Sequence, residues 1–463
     1  MKRAMMVALA LAAGCTVGPD YEPPRTSAPA QWGQPADTSA TDLSTWWTVF
    51  NDGTLNGLID RAVKANHDVR IAAARVDEAK GQLGVVTGYL FPQIDARADY
   101  SKRRVSPNAQ PFNINQIYQS RYSLGFDASW ELDLFGLARR HLESSVADLE
   151  AWTENRRAVM VALLGEVAAN YVGLRGNQLL LAVLRENVAS AKGTVELTQA
   201  RLAAGVATTL DVSRAEALYA SAQAALPQVE AALKQSIHRL SVLVGLAPES
   251  LASELEHEAP IPAAPDKVVV GLPSQLLLRR PDVRRAERRL ASSTALIGAA
   301  VAELYPRISL TGAFGLDSLG SSDLFNWHSR AWSLGPSIRW PIFAGGRLQA
   351  QVAVEDARTA AALAEYEKTV LVALEDVENA LVGYLREGQR RKSLETAVTA
   401  DRKSVELAED LYRKGLTSFI DVLDAQRALY IAQSELARSQ AQVTLDLVAL
   451  YKALGGGWES VEK

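Results

Sequence analysis

The side chains best suited to bind a metal or attack a substrate are few and scattered in this chain. Its five histidines show no zinc-site spacing: they are His67, His141, His238, His257 and His328. The single cysteine, Cys15, excludes a disulfide framework and a cysteine metal cluster. No phosphate-binding glycine loop or methionine cluster is present. The sequence therefore predicts neither an enzyme nor a bound metal or organic cofactor.

Cys15 has a different chemistry available to it. Basic residues at the start of the chain are followed by an apolar run over 4–13 and then by Gly14, which is the order of a secretory signal. The segment Leu11–Cys15 resembles a bacterial lipoprotein processing site, which predicts removal of residues 1–14 and a covalent lipid on Cys15. Thr16 stands where an inner-membrane lipoprotein carries Asp, so we expect the outer membrane. An ordinary signal peptide with an incidental cysteine is the alternative.

Repeated residues show that the chain contains two copies of one unit. Adding 210 to the first set of six positions gives the second set: Ser123, Leu124, Gly125, Trp130, Gly205 and Asp211 correspond to Ser333, Leu334, Gly335, Trp340, Gly415 and Asp421. A second register of 214 relates Leu90-Phe91-Pro92 to Leu304-Tyr305-Pro306. The change of register predicts a loop of different length between these two positions in each copy.

Each copy contains a predicted hairpin, over about 92–134 and about 306–343. Along each of its strands, apolar and aromatic residues alternate with polar and charged ones, which is the pattern of a strand with two different faces. Strands of this length with terminal aromatics suit an outer-membrane barrel, although a soluble hairpin also alternates. Because four strands are too few to close a barrel, oligomerisation must supply the missing partners.

A very long helix follows each hairpin. The tract 138–202 contains no proline, its apolar residues recur about every 3.5 positions, and its counterpart repeats the pattern, which favours coiled-coil packing. Roughly 65 residues at about 1.5 Å each span about 100 Å. Gly205 and Gly415 end these helices. Asp211 and Asp421 then begin returning helices, which end at about Val244 and Leu454, and helix N-capping is the plain interpretation of both aspartates.

The predicted domains follow from the duplication. They are a signal peptide (1–14), a lipidated N-terminal segment (15–54), repeat 1 (55–246) beginning with one helix over 55–90, a Pro- and Ala-rich linker (247–273), repeat 2 (274–456) and a tail (457–463). No run after the signal has the roughly 20 apolar residues of a transmembrane helix. With 49 basic and 53 acidic residues and a net charge of −4, the chain has no excess of basic residues of the kind expected in a nucleic-acid-binding protein.

Several segments together resemble the TolC family of outer-membrane factors, in the lipoprotein branch of OprM and NodT. They are Cys15–Tyr21, Trp46-Trp47 with Phe50, and Tyr412–Gly415 leading to Asp421–Arg427. The resemblance covers essentially the whole mature chain. It implies an α+β membrane protein, with an internal duplication and four transmembrane strands per chain. Three chains would form a homotrimer with a twelve-stranded barrel and a long periplasmic α-helical barrel.

The same resemblance implies a periplasmic gate and a docking site. Asp421 and Asp424 match paired gate aspartates, Arg427 matches a basic partner beside them, and Asp211 with Tyr412 matches a polar link that holds the tunnel closed. Thr417 stands where the TolC-like branch has an arginine, so that branch's salt bridge is not expected. The tips that dock on a periplasmic adaptor, a membrane fusion protein, correspond to Gly205, Val206, Gly415 and Leu416. Capping alone stays an alternative for Asp211 and also for Asp424.

The leading hypothesis is a passive duct in the cell outer membrane for drugs or other small toxic solutes. The resemblance implies that an inner-membrane resistance-nodulation-division pump drives it through the adaptor. One alternative is the outer-membrane channel of a protein secretion system. Another, of a different class, is a periplasmic coiled-coil spacer without a pore. The amphipathic strands oppose the spacer, whereas the lipoprotein start favours efflux over secretion through the resemblance only.

Overall fold

The computed structural model describes residues 16–25, 29–35, 37–39, 42–104, 106, 108, 117–264 and 269–461. The predicted signal peptide and Cys15 lie outside these residues. The chain forms two compact units, each built from both copies. The first comprises Met1–Arg25, Arg75–Thr153 and Arg285–Glu367, and the second comprises Thr26–Ala74, Glu154–Arg284 and Lys368–Lys463.

Helices dominate the described residues. The α-helices are α1 (Gly53–Ala65), α2 (His67–Gly88), α3 (Leu137–Ala203), α4 (Thr209–Ala224), α5 (Leu226–Leu243), α6 (Ala252–Leu255), α7 (Pro273–Arg279), α8 (Pro281–Ala302), α9 (Arg347–Arg413) and α10 (Phe419–Ala453). Short 3-10 helices lie at Trp46–Phe50, Trp327–Ser329 and Trp458–Val461. The strands are β1 (Gln93–Arg104), β2 (Tyr118–Leu132), β3 (Arg307–Ser318) and β4 (Arg330–Arg339).

The duplication is visible in the element bounds. Helices α3 and α9 both have 67 residues, and both of their ends differ by 210. Helices α2 and α8 both have 22 residues, and their ends differ by 214, as do those of β1 and β3. The register therefore changes between the two strands of each hairpin, which confirms that the length difference lies in the hairpin loops.

The single helix predicted over 55–90 is wrong, because α1 and α2 are separate. Asn66 lies between them with φ −63° and ψ 133°, an extended conformation that interrupts the helix. Its side-chain oxygen accepts hydrogen bonds from the backbone N–H groups of Asp68 (2.8 Å) and Val69 (3.2 Å) at the start of α2. The side-chain nitrogen donates to the Leu243 carbonyl at 2.9 Å. Asparagine favours this cap position because it bonds to the backbone locally.

The first returning helix is also interrupted, at Ala225 between α4 and α5. Pro227 lies in the first turn of α5, where its missing N–H costs nothing, but it cannot continue the preceding helix. The second returning helix has Ala437 at the corresponding position and runs unbroken through α10. Their ends at Leu243 and Ala453 agree with the predicted ends near Val244 and Leu454.

The four strands form one antiparallel sheet in the order β1-β2-β3-β4. Tyr100 pairs with Tyr122, Phe126 with Phe314, and Ile308 with Ile338, so even-numbered residues face even-numbered ones throughout. The even face carries the exposed large apolar residues of the sheet: Ile94, Tyr100, Tyr118, Leu124, Phe126, Trp130, Leu310, Phe314, Trp332, Leu334 and Ile338. The predicted alternation, with one apolar and one polar face, is confirmed.

One helical segment after the signal is apolar enough to be considered as a membrane span. Among the described helices, α3 contains such a stretch by length and composition, which the sequence reading did not expect. However, 56 % of that stretch is buried inside the protein. A helix that packs within a core has the same composition, so this is weak evidence of a span.

Candidate functional site at the helix tips and the sheet

Two glycines reverse the chain at the ends of the long helices. Gly205 and Gly415 both have φ +74°, a left-handed conformation that glycine adopts without strain. The backbone N–H groups of Val206 and Leu416 donate to the carbonyls of Arg201 and Leu411, each at 2.9 Å. These six-residue bonds close a Schellman turn at both tips. The turn was predicted from the glycines, and it leaves the next residue of each tip facing solvent.

The exposed residues of the tips are apolar. Val206 is 60 % exposed and Leu416 is 71 % exposed, and Leu210 at the start of α4 is 57 % exposed. Exposed apolar side chains at the end of a projecting element are typical of a protein–protein contact. The adaptor-docking role of Gly205, Val206, Gly415 and Leu416 stays a prediction, and this surface is compatible with it.

Asp211 and Asp421 lie at the third helical position of α4 and α10, and both complete a capping box. The Asp211 Oδ2 accepts hydrogen bonds from the Thr208 backbone N–H (3.0 Å) and hydroxyl (2.8 Å). The Asp421 Oδ2 accepts three, from the Ser418 N–H (3.1 Å), the Ser418 hydroxyl (2.7 Å) and the Thr417 hydroxyl (2.5 Å). The bonds from Thr417 and Ser418 lower the pKa of Asp421. Capping is thus present, with Thr208 and Ser418 rather than the aspartates as the N-cap residues.

Asp424 lies one turn further along α10 and takes no part in the cap. Its carboxylate is 3.6 Å from the Arg427 guanidinium, and the two side chains are 66 % and 48 % exposed. An exposed pair of this kind contributes little to stability. The structure therefore brings together Asp424 and its predicted basic partner, and it leaves the carboxylate open to solvent.

Tyr412 is buried at the tip rather than bonded to Asp211. It is 7 % exposed and packs on Phe419, with ring centroids 5.4 Å apart, in a cluster that includes Leu218, Val422 and Leu423. Its hydroxyl is buried and has no hydrogen-bond partner among the described residues. Burial raises its pKa, and the charge of Asp211 raises it further, against the effect of Arg201.

Sequence analysis missed four residues of this tip, which are Arg201, Thr194, Glu409 and Gln426. The Arg201 guanidinium lies 4.5 Å from the centre of the Tyr412 ring, a cation–π contact. Gln426, 1 % exposed, donates to the Thr194 hydroxyl at 2.9 Å and to the Glu409 carboxylate at 3.2 Å. For Arg201 the sequence did contain a signal: the two copies differ at this position, where the second copy has Leu411.

Several strand charges on the polar, odd-numbered face are paired. Arg97 lies 3.1 Å from the carboxylates of both Asp99 and Asp127, and Arg121 pairs with Asp317 across β2 and β3. Such a face suits contact with water, whereas the even face suits contact with lipid. At the helix end of the sheet, the indoles of Trp130 and Trp340 donate to the carbonyls of Leu90 and Leu304, each at 3.0 Å. These aromatic side chains have the position expected at a membrane interface.

The segment that follows Cys15 packs within the first unit. Arg140, 2 % exposed, donates to the carbonyls of Val17 (3.1 Å) and Gly18 (3.3 Å) and to the Asp20 carboxylate (2.8 Å). Gly18 has φ +89°, and a Cβ there would lie 2.4 Å from the Cα of Gly298. Only glycine fits this position. The segment Thr16–Asp20 is named here the N-terminal dock.

No group of three or more histidine, cysteine or carboxylate side chains suited to a metal occurs in the described part of the chain. A family model described as "Outer membrane efflux protein" matches residues 58–246 and 272–456.

Relatives match over nearly the full length. The chain is 34 % identical over 456 residues to Nodulation protein T of Rhizobium leguminosarum bv. trifolii, covering 98 % of this chain and 97 % of that protein. It is 34 % identical over 462 residues to the solvent efflux pump outer membrane protein SrpC of Pseudomonas putida, with the same two coverages. Its structure matches the outer-membrane channel OprN with a TM-score of 0.91 and 39 % identity, over 96 % of this chain and 100 % of that one. The chain therefore belongs to the outer membrane efflux protein family.

Proposed function

We propose that three copies of this chain form a passive exit duct in the outer membrane, through which an efflux pump expels small toxic solutes. The four-stranded sheet carries this proposal. Its even face is apolar, its odd face is charged, and the order β1-β2-β3-β4 leaves β1 and β4 as edges. Unpaired edges are not tolerated in lipid, so a membrane sheet must close. Three copies of four strands give twelve, enough to enclose a water-filled lumen.

The substrates and partners follow from the relatives and from the tips. Relatives carry the names of solvent, toluene and antibiotic efflux pump outer membrane proteins, which favours small toxic solutes over secreted proteins as the cargo. A duct of this kind needs an energy source at the inner membrane, and we assign an inner-membrane resistance-nodulation-division pump and a periplasmic adaptor. The exposed apolar side chains of Val206 and Leu416 fit contact with that adaptor.

The gate is proposed at the same tips. In the trimer, Asp421 and Asp424 from three chains would form a ring of carboxylates, with Arg427 beside them, and Asp211 and Tyr412 would hold neighbouring helix pairs together. Acidic rings favour cations in other pores. The support for this assignment is that all five residues lie within twelve positions along the chain from Gly205 or Gly415, together with the exposure of Asp424.

The trimer is tested by mass and conductance on one preparation. Protein extracted in a mild detergent is expected to have the mass of three chains and to conduct ions when reconstituted in a planar bilayer. The conductance should be weakly cation-selective. A protein that stays monomeric and never conducts would contradict the duct and would favour a periplasmic spacer without a pore.

A further inference from the structure

The even, apolar face of the sheet ends in three cations at its hairpin end. On β1 they are Lys102 and Arg104, which follow Tyr100 on the same face, and on β4 it is Arg330, which precedes Trp332. The hairpin ends of the strands lie opposite to the ends that join the long helices. We name Lys102, Arg104 and Arg330 the rim cations.

The even face carries no negative charge in any of the four strands. All acidic strand residues are odd-numbered and lie on the polar face: Asp95, Asp99, Asp127, Glu131 and Asp317. Two arginines of that polar face are neutralised there, in the pairs Arg97–Asp127 and Arg121–Asp317. Acidic strand residues are therefore confined to the polar face, whereas basic strand residues occur on both faces.

The rim cations have no carboxylate partner among the described residues. The Arg330 guanidinium lies 4.1 Å from the centre of the Trp327 ring and donates to the Trp327 carbonyl at 3.3 Å. Trp327 itself is 71 % exposed, and Trp332 beside Arg330 is 73 % exposed. Arg330 is thus held in place by an exposed indole, while its charge has no carboxylate partner in the part of the chain that the structure describes.

A cation on the lipid-facing side of a barrel strand is costly at mid-membrane and tolerated near the interface. Long basic side chains reach the headgroup level by extending along apolar surface. The rim cations lie beyond the aromatic residues Tyr100 and Trp332, where the apolar band ends. Basic clusters at this level attract anionic lipid headgroups, and arginine binds phosphate oxygens in a bidentate way.

Barrel closure would bring the rim cations of two subunits together. Strand β1 runs from its helix to the hairpin end, and β4 runs in the opposite direction, so β1 of one chain can pair antiparallel with β4 of the next. Both edges carry their cations at the hairpin end. Lys102 and Arg104 would then lie at the same, hairpin end of this strand pair as Arg330 of the partner subunit, at each of three boundaries.

We propose that each boundary binds the phosphate groups of a phosphorylated glycolipid in the outer leaflet of the membrane. The inference rests on the trimer proposed above, because each site is completed by two chains. The apolar band below the rim cations would contact the acyl chains, and the exposed indoles of Trp327 and Trp332 would lie at the sugar level. The lipid would thereby join neighbouring subunits at the end of the barrel remote from the helices.

The test is native mass spectrometry of the full-length trimer in a neutral detergent, titrated with diphosphorylated lipid A. We expect up to three lipids per trimer. The triple variant Lys102→Gln, Arg104→Gln, Arg330→Gln is expected to weaken binding by at least about tenfold. The matched control is Arg103→Gln, which removes a neighbouring charge from the polar face, where Arg103 bonds to Gln119 at 3.0 Å. That variant should bind as the unmodified protein does.

Three comparisons separate the phosphorylated glycolipid from other sources of the same chemistry. Dephosphorylated lipid A and phosphatidylglycerol should both bind at least about tenfold more weakly, and inorganic phosphate at the lipid concentration should not compete. The proposal would be overturned if the triple variant bound diphosphorylated lipid A as tightly as the unmodified protein does. It would also be overturned if dephosphorylated lipid A or phosphatidylglycerol bound as tightly as diphosphorylated lipid A, or if inorganic phosphate competed successfully. A monomer in the same spectrum would instead contradict the trimer, whereas an intact, conducting trimer that takes up no lipid would contradict the lipid site alone.

Discussion

At the scale of single residues, one aspartate can both cap a helix and serve a gate. In Asp421 all three hydrogen bonds from Thr417 and Ser418 reach Oδ2, and in Asp211 both bonds from Thr208 do. A carboxylate has about four acceptor positions. The second oxygen is therefore left for another partner, and capping does not exclude the proposed gate. Asp424 is the cleaner probe because it has no part in the cap.

Replacing Tyr412 with Phe tests the gate. The hydroxyl makes no hydrogen bond with the described residues, so its loss should leave the stability of the isolated chain nearly unchanged. If it links helix pairs in the closed trimer, removing a hydrogen bond to a charged group costs about 1.5–3 kcal/mol. Single-channel conductance is then expected to rise. Tyr430→Phe is the matched control, since that hydroxyl is also buried and makes no hydrogen bond with the described residues.

The proposed carboxylate ring is tested in the same single-channel recordings. Asp424→Asn should reduce cation preference and weaken block by multivalent cations, whereas Asp424→Glu, which keeps the charge, should preserve both. Thermal melts of these variants should be unchanged, because Asp424 is 66 % exposed and only weakly paired. Unaltered selectivity in Asp424→Asn, or unaltered conductance in Tyr412→Phe, would remove the corresponding residue from the gate.

At the scale of elements, the N-terminal dock joins segments that are distant in the chain. Arg140 at the start of α3 holds Val17, Gly18 and Asp20, and Gly298 in α8 makes room for Gly18. Tyr21 continues the contact, donating its hydroxyl to the Glu287 carboxylate at 2.8 Å. Burial, and then that bond, raise the pKa of Tyr21 well above its usual range. The dock therefore ties the N-terminal segment to both copies of the repeat.

Gly18→Ala should release the dock. The added Cβ meets the Gly298 backbone, and the left-handed φ is itself unfavourable for alanine, which together cost at least about 1–3 kcal/mol. We expect a lower melting temperature and faster proteolysis near Tyr21 in the purified protein. Gly84→Ala is the control, because a Cβ at Gly84 in α2 would meet nothing within 4 Å and alanine favours a helix. If proteases cut Gly18→Ala and Gly84→Ala near Tyr21 at the same rate, the dock does not hold the N-terminal segment in place.

At the scale of the whole molecule, membrane attachment has two proposed sources, the barrel and a lipid on Cys15. Intact-mass measurement of membrane-extracted protein should show loss of Met1 to Gly14 and acyl chains on Cys15. Because a barrel holds a protein more firmly than lipid anchors do, Cys15→Ser should change sorting or assembly while leaving the conductance of assembled trimers unchanged. An unmodified cysteine in the mature protein would contradict the lipid anchor.

Local pattern in the sequence determined the duplication, the two hairpins with their apolar and polar faces, and the ends of the long helices at Gly205 and Gly415. These features depend on periodicity or on one residue's backbone preference, which nearby residues reveal. Pro227 carried a local signal too, and the break it causes was missed.

Only the tertiary structure decided which side chains meet. Gln426 bonds to Thr194 across 232 residues, and Arg140 reaches Gly18 across 122. Neither contact leaves a periodic trace, because a buried polar group is satisfied by whatever the packing of distant elements brings near it. The helix tip also shows what each source of information decides. Sequence resemblance identified Tyr412 and Asp211 as candidates. Packing placed Arg201 against the Tyr412 ring and left the Tyr412 hydroxyl without a hydrogen-bond partner among the described residues.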